Sequence, residues 1–150
     1  MCYNDRVKVF SNIFAIAASV IFLDQLSKFL IISYAPVLIH KNTAIAFSLP
    51  IYGNIALAAA YIALVAISFF AFKIFNFSKK LSRLIFGFIL GGAISNIIDR
   101  IACGAVIDFI NLKIWPVFNI ADICITAGIL AIIIFYDKIK KQKNKTRGVK

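Results

Sequence analysis

Every acidic side chain in this sequence is an aspartate, and of the six only Asp5 and Asp137 sit among the basic residues of the chain ends. Asp24, Asp99, Asp108 and Asp122 lie within or between long apolar runs, where an ionised carboxylate costs about 2.5–3.5 kcal/mol by insertion scales. Asp24 and Lys28 are four residues apart in the favourable order and can pair on one helix face. Asn96, Asp99 and Arg100 are spaced to share a face of another helix. Asn119 precedes Asp122 by three residues, which suits an asparagine cap at a helix start. Asp108 and Asp122 have no cation close by in their own segments. Two such carboxylates brought together share a proton and titrate as a coupled pair. A proton-sharing pair can take a proton from water and give one to a leaving amine, the logic of aspartic proteases.

Residue physics leaves other readings open. Four buried aspartates with Asn42, Asn96 and Asn119 among them also describe a hydrogen-bonded network that only fastens helices together. A small proton-coupled transporter holds acids in a membrane bundle too, although near midplane and often in repeated halves. A non-catalytic assembly subunit is a third possibility, and it would tolerate neutral replacement of Asp108 and Asp122.

The elements that position these groups are written in the hydropathy. The chain is 62% hydrophobic with a mean hydropathy of +0.93, well beyond a soluble domain of its size. Four apolar stretches, 10–32, 55–75, 84–98 and 117–136, are candidates to cross a hydrocarbon core about 30 Å thick. The third is short unless it continues past its ends. Arg6 and Lys8 ahead of the first stretch resemble a signal-peptide start, but no small-residue cleavage site follows, so a retained helix is expected. The fold class expected is an all-α integral membrane protein with four transmembrane helices. Residues 1–150 form one domain in this reading, with a basic tail from about 138.

Net charge of +11 suggests nucleic acid, yet the charge sits in short tracts between apolar runs rather than on a folded polar face. Thirteen of the seventeen lysines and arginines fall at the two chain ends or near the 76–83 turn. Only Lys28, Lys41, Arg100 and Lys113 lie opposite. The asymmetry predicts cytoplasmic termini and outward-facing segments 33–54 and 100–115. Pro36, Val37, Leu38, Ile39, Ala46, Phe47, Leu49 and Ile51 make the first outward segment too apolar for a free loop, and predict short strands at the membrane surface. Counting 1.5 Å per residue puts Asp24, Asp99 and Asp122 about 20–22 Å from the inner edge of their helices. Asp108 can fold back to that level. Gly87, Gly91 and Ser95 form a stripe of small residues for close helix packing, read as packing and not chemistry. Trp115 and Pro116 fit an interfacial anchor just before the fourth helix. Three cysteines at 2, 103 and 124 make neither a disulfide framework nor a spaced metal site, and His40 has no neighbouring ligands.

In these residues the chain resembles the bacterial lipoprotein signal peptidases, the type II signal peptidases. Asp24-Gln-Leu-Ser-Lys28 resembles their first-helix motif, Asn42-Thr-Ala-Ile-Ala-Phe47 their outer-loop motif, and Gly91 through Arg100 their third-helix motif. Val106-Ile-Asp108-Phe109 and Trp115-Pro-Val-Phe-Asn119-Ile-Ala-Asp122 resemble the segments that carry their catalytic aspartates. Five motifs occur in order over nearly the whole chain. The family usually has glycine where Ala44 and Ser95 stand.

The resemblance implies an intramembrane aspartic endopeptidase in the bacterial inner membrane, with a small extracytoplasmic β-sheet, acting as a monomer without metal or organic cofactor. Its substrates would be diacylglyceryl-modified prolipoproteins, cut just before the lipidated cysteine near the outer face of the bilayer, with membrane lipid and no nucleic acid as its surroundings. Asp108 and Asp122 would be the catalytic dyad. Asp24, Lys28, Asn42, Asn96, Asp99, Arg100 and Asn119 would shape the site and hydrogen-bond it.

Overall fold

The computed structural model describes residues 3–43 and 53–142. Ala44, Ala46, Phe47, Leu49 and Ile51, named above for the outer loop and its motif, lie outside the described residues, as does the tail from 143. In chain order the elements are α1 (Tyr3–Tyr34), β1 (His40–Asn42), α2 (Gly53–Ile74), α3 (Lys80–Cys103), β2 (Val106–Asp108) and α4 (Ile120–Ile139). All four helices contain a stretch long and apolar enough to cross a membrane. Large apolar side chains such as Phe14, Phe22, Ile62, Val65, Ile133 and Ile134 point outward from α1, α2 and α4, as a lipid-facing surface requires.

α3 is the central helix. It packs along α1 on one side and α4 on the other, more lightly on α2, and is the most enclosed of the four. Close approach depends on its small residues. A Cβ at Gly91 would fall 2.7 Å from the Ala17 carbonyl oxygen of α1, and one at Gly92 would fall 2.6 Å from the Ala121 carbonyl oxygen of α4. The stripe of small residues expected from the sequence therefore faces α1, and Gly92 supplies a second close face toward α4.

The two ends of the bundle differ in kind. At one end Val9, Ile13, Phe75, Ile85, Phe86, Ile89 and Ile139 form a buried apolar core. There the ends of α2 and α4 are tied together by backbone bonds from Asn76 to Ile139 (2.7 Å) and from Lys141 to Ile74 (2.9 Å). Apart from Ser82 at the apolar end, the buried polar groups lie at the other end: Asp24, Lys28, Ser95, Asn96, Asp99, Asp108 and Asn119.

The structure sharpens the sequence reading at three places. α3 runs well beyond 84–98 at both ends, because Lys80–Arg83 and Ile101–Cys103 continue the helix until Gly104 closes it at φ 71°. α4 begins at Ile120, directly after the expected Asn119 cap, so the apolar stretch from 117 starts ahead of the helix, with Phe118 taken up in a bridge with Ile110. Pro116 therefore lies four residues outside the helix. The small sheet is not built from the first outer segment alone. β1 from that segment pairs antiparallel with β2 from the segment after α3, with His40 opposite Asp108 and Asn42 opposite Val106.

Candidate functional site

The site is assembled where α3 ends, α4 begins and the two strands meet. Asn119 is the N-cap of α4 in a reciprocal capping box: its Oδ1 accepts from the Asp122 backbone N–H at 2.9 Å, and its own N–H reaches Asp122 Oδ2 at 3.4 Å. That geometry turns the Asn119 amide nitrogen toward β2. Nδ2 donates to Asp108 Oδ1 at 2.7 Å and to Asn96 Oδ1 at 3.1 Å. Asn96 in turn donates to Asp122 Oδ1 at 2.8 Å, and Asn42 on β1 donates to Asp108 Oδ2 at 3.1 Å. All four oxygens of the two carboxylates thus receive an N–H donor. Asp108 is 1% exposed, whereas Asp122 is half-buried, so access to the pair is from the Asp122 side.

Behind this pair lies a second cluster built on one lysine. Lys28 Nζ is 2.5 Å from Asp24 Oδ2 and 2.7 Å from Asp99 Oδ2, and all three side chains are buried. Two carboxylates share one cation, so further donors must hold the remaining charge. Ser95 Oγ donates to Asp24 Oδ2 at 2.7 Å, and Gln25 Nε2 donates to Asp99 Oδ1 at 2.8 Å. The backbone supplies the rest. Asp24 Oδ1 accepts from the Ala121 N–H of α4 at 2.9 Å, and Asp99 Oδ2 accepts from the Ile107 N–H of β2 at 3.1 Å.

Burial pushes the Asp108 carboxyl up to about 6, and the nearby Asp122 charge adds to the rise. Hydrogen bonds from Asn42 and Asn119 and the Lys28 charge act in the opposite direction. The charge of Arg100 acts on Asp122, Asp108 and Asp99, and its guanidinium donates to the Asn96 carbonyl at 3.3 Å. Among the described residues no group of three or more His, Cys, Asp or Glu is arranged to hold a metal.

All nine residues singled out in the sequence converge here. Two details of their grouping are corrected. Asn96 and Asp99 do not serve one neighbour: Asn96 turns to α4, while Asp99 turns to α1, where its ion pair is with Lys28. Ser95 is not packing alone, since its hydroxyl holds Asp24. Sequence reasoning also missed Gln25, whose amide spans Ser95 and Asp99. A polar residue next to Asp24 in an otherwise apolar run was the available signal.

Residues 16–137 match the family model described as signal peptidase (SPase) II. A lipoprotein signal peptidase of Chlorobium phaeobacteroides (strain BS1) is 38% identical over 152 residues, which cover 83% of this chain and 95% of that protein. A second, from Caldicellulosiruptor bescii, is 45% identical over 69 residues, 46% of each chain. A solved structure described as a bacterial membrane enzyme, obtained by the in meso method, matches with a TM-score of 0.65 at 26% identity, covering 93% of this chain and 95% of its own.

Proposed function

The chain belongs to the signal peptidase II family, and on that premise we propose that it removes signal peptides from diacylglyceryl-modified prolipoproteins as an intramembrane aspartic endopeptidase. The observation that carries the dyad is the Asn119 side chain, which touches Asp108 and caps the helix turn that bears Asp122. Asp108 and Asp122 hold one proton between them. The ionised carboxylate takes a proton from a water, and the resulting hydroxide attacks the scissile carbonyl carbon. The protonated carboxyl gives its proton to the carbonyl oxygen, forming a neutral tetrahedral diol. A diol proton then returns to a carboxylate as the C–N bond breaks, and the amine leaves with a proton from the dyad. One water is consumed, and the dyad ends as it began.

The amides of Asn42, Asn96 and Asn119 hold both carboxylates in place without adding a counter-ion that would quench the shared proton. Lys28, Asp24, Asp99 and Arg100 position the segments around them. All of these residues are brought together within one chain, which supports a monomer as the working unit. Basic residues at the apolar end of the bundle support a cytoplasmic placement of both termini, which sets the dyad near the outer face of the bacterial inner membrane. A signal peptide is an apolar helix with its cleavage site at that depth. Two acyl chains on the cysteine hold the scissile bond there, each buried methylene contributing about 0.8 kcal/mol.

The deciding experiment is cleavage of a lipidated precursor by purified enzyme in a bilayer mimic. Asp108→Asn and Asp122→Asn each abolish cleavage while the protein still inserts and folds. Near-normal turnover by either variant removes that residue from the dyad and returns the reading to a fastening network or an assembly subunit. A matched precursor without the diacylglyceryl group is cleaved poorly. Equal cleavage of both leaves a general intramembrane protease.

A further inference from the structure

The chemistry above does not use the segment that joins Asp108 to Asn119. It is a hairpin closed at its base by bonds from the Phe109 and Ile110 N–H groups to the Phe118 carbonyl (3.1 and 2.8 Å) and from the Phe118 N–H to the Ile110 carbonyl (3.1 Å). At its tip Asn111 Oδ1 accepts from the Lys113 N–H at 2.8 Å, and Lys113 takes a left-handed turn at φ 65°. The turn displays an apolar tip. Ile114 is 91% exposed, Trp115 57%, and Leu112 beside them 56%.

We infer that this tip, residues 112–115, is a lipid-inserted arm that enters the leaflet on the aspartate side of the membrane and fixes the depth of the hairpin base. The occupant follows from lengths. α4 has 20 residues, bent at Phe135, and so spans at most about 30 Å, close to the thickness of the hydrocarbon core. Its first residue, Ile120, therefore stands at the edge of that core. Three residues separate Phe118 from Ile114, a reach of at most about 14 Å, so the interfacial layer beside the start of α4 is within reach of the tip. Two further apolar side chains at this end of the bundle, Ile101 at the end of α3 and Ile123 at the start of α4, are also exposed. Tryptophan is enriched at this depth, and the Lys113 stem can keep its ammonium among headgroups while its neighbours enter the acyl region. Since the base of the hairpin adjoins Asp108 on one strand and Asn119 on the other, holding the tip in lipid holds both at a set level.

Trp115 is the single tryptophan of the chain, so the full-length protein carries its own probe. The protein is placed in vesicles of phosphatidylcholine brominated either near the headgroup end of the acyl chain or near its methyl end. Emission is expected to the blue of free tryptophan, quenched more by the shallow bromines than by the deep ones, and little affected by aqueous iodide. Replacing Leu112 and Ile114 together by asparagine shifts emission to the red and exchanges bromine quenching for iodide quenching, with helix content by circular dichroism unchanged. Iodide quenching without lipid quenching in the native protein places the arm in water. Protection from both places it under protein. Either result overturns the inference, and neither depends on peptidase activity; if the double variant fails to fold, the native measurement alone decides.

Discussion

The carboxylate of Asp24 on α1 accepts the backbone N–H of Ala121 at 2.9 Å, so the first turn of α4 is capped from another helix. Ala121 directly precedes Asp122. Four N–H groups at a helix start lack intrahelical partners, and here one is met by Asn119 within the chain and one by Asp24 across the bundle. Asp99 does the same for the Ile107 N–H, next to Asp108. Lys28 lies between these two carboxylates and thereby links the placement of both strand and helix.

Replacing Lys28 leaves two buried carboxylates without their cation. Lys28→Ala is expected to lower stability by about 3–5 kcal/mol, the usual cost of breaking a buried pair. Lys41→Ala, on the exposed side of β1, is expected to do little. Thermal unfolding of both variants in the same detergent measures the difference. Equal, small effects would show that Lys28 is not part of a buried pair in the membrane.

The two roles of Asn119 separate by substitution. Serine keeps a hydroxyl that caps α4 but cannot donate to Asp108 as the amide does. Asn119→Ser is expected to unfold near the native temperature yet cleave lipidated precursor far more slowly. Asn119→Ala also loses the cap, worth about 1 kcal/mol. Equal activity in the serine variant and the native protein would remove the amide from the site.

Asp108 sets a pH dependence whose sign follows from its raised value. A carboxyl that titrates at about 6 when folded and near its ordinary value of 3.8 when unfolded binds its proton more tightly in the folded state. Its contribution to stability is full below the unfolded value and is lost as pH rises through about 6. Activity that needs a proton on this group shows kcat/KM falling over the same range. Asn42→Ala removes a donor that favours the ionised form, so the falling limb moves to higher pH. A limb that stays or moves down in that variant contradicts the assignment.

Gly92 tests the close approach of α3 to the start of α4. A methyl group there meets the Ala121 carbonyl oxygen at 2.6 Å, and backbone cannot step aside cheaply. Gly92→Ala is expected to cost about 1–3 kcal/mol by overpacking and to lower cleavage as α4 is displaced. At Gly104, where nothing lies within 4 Å but φ is 71°, alanine costs only about 1–2 kcal/mol of backbone strain and leaves cleavage largely intact. Thermal unfolding and turnover of the pair check the contrast.

Hydropathy by itself determined four long helices, because continuous apolar runs of about 20 residues suit helices that satisfy their own backbone in lipid rather than the short alternating strands of a barrel. Spacing determined the Asp24–Lys28 pair and the Asn119 cap, since both are contacts within one turn of helix. Rise per residue determined that Asp24, Asp99 and Asp122 share a level, which their contacts bear out. What remained for the tertiary structure was every contact between segments. Helical spacing places Asn96 and Asp99 together, but only the positions of α1 and α4 decided that they serve different neighbours. No local pattern says that Lys28 reaches Asp99, that Ser95 holds Asp24, or that β1 from one segment pairs with β2 from another. The side chain of Asn119 shows both limits. Its oxygen is committed by the helix it begins, and its nitrogen meets Asp108 only because the hairpin between them closes at Ile110 and Phe118.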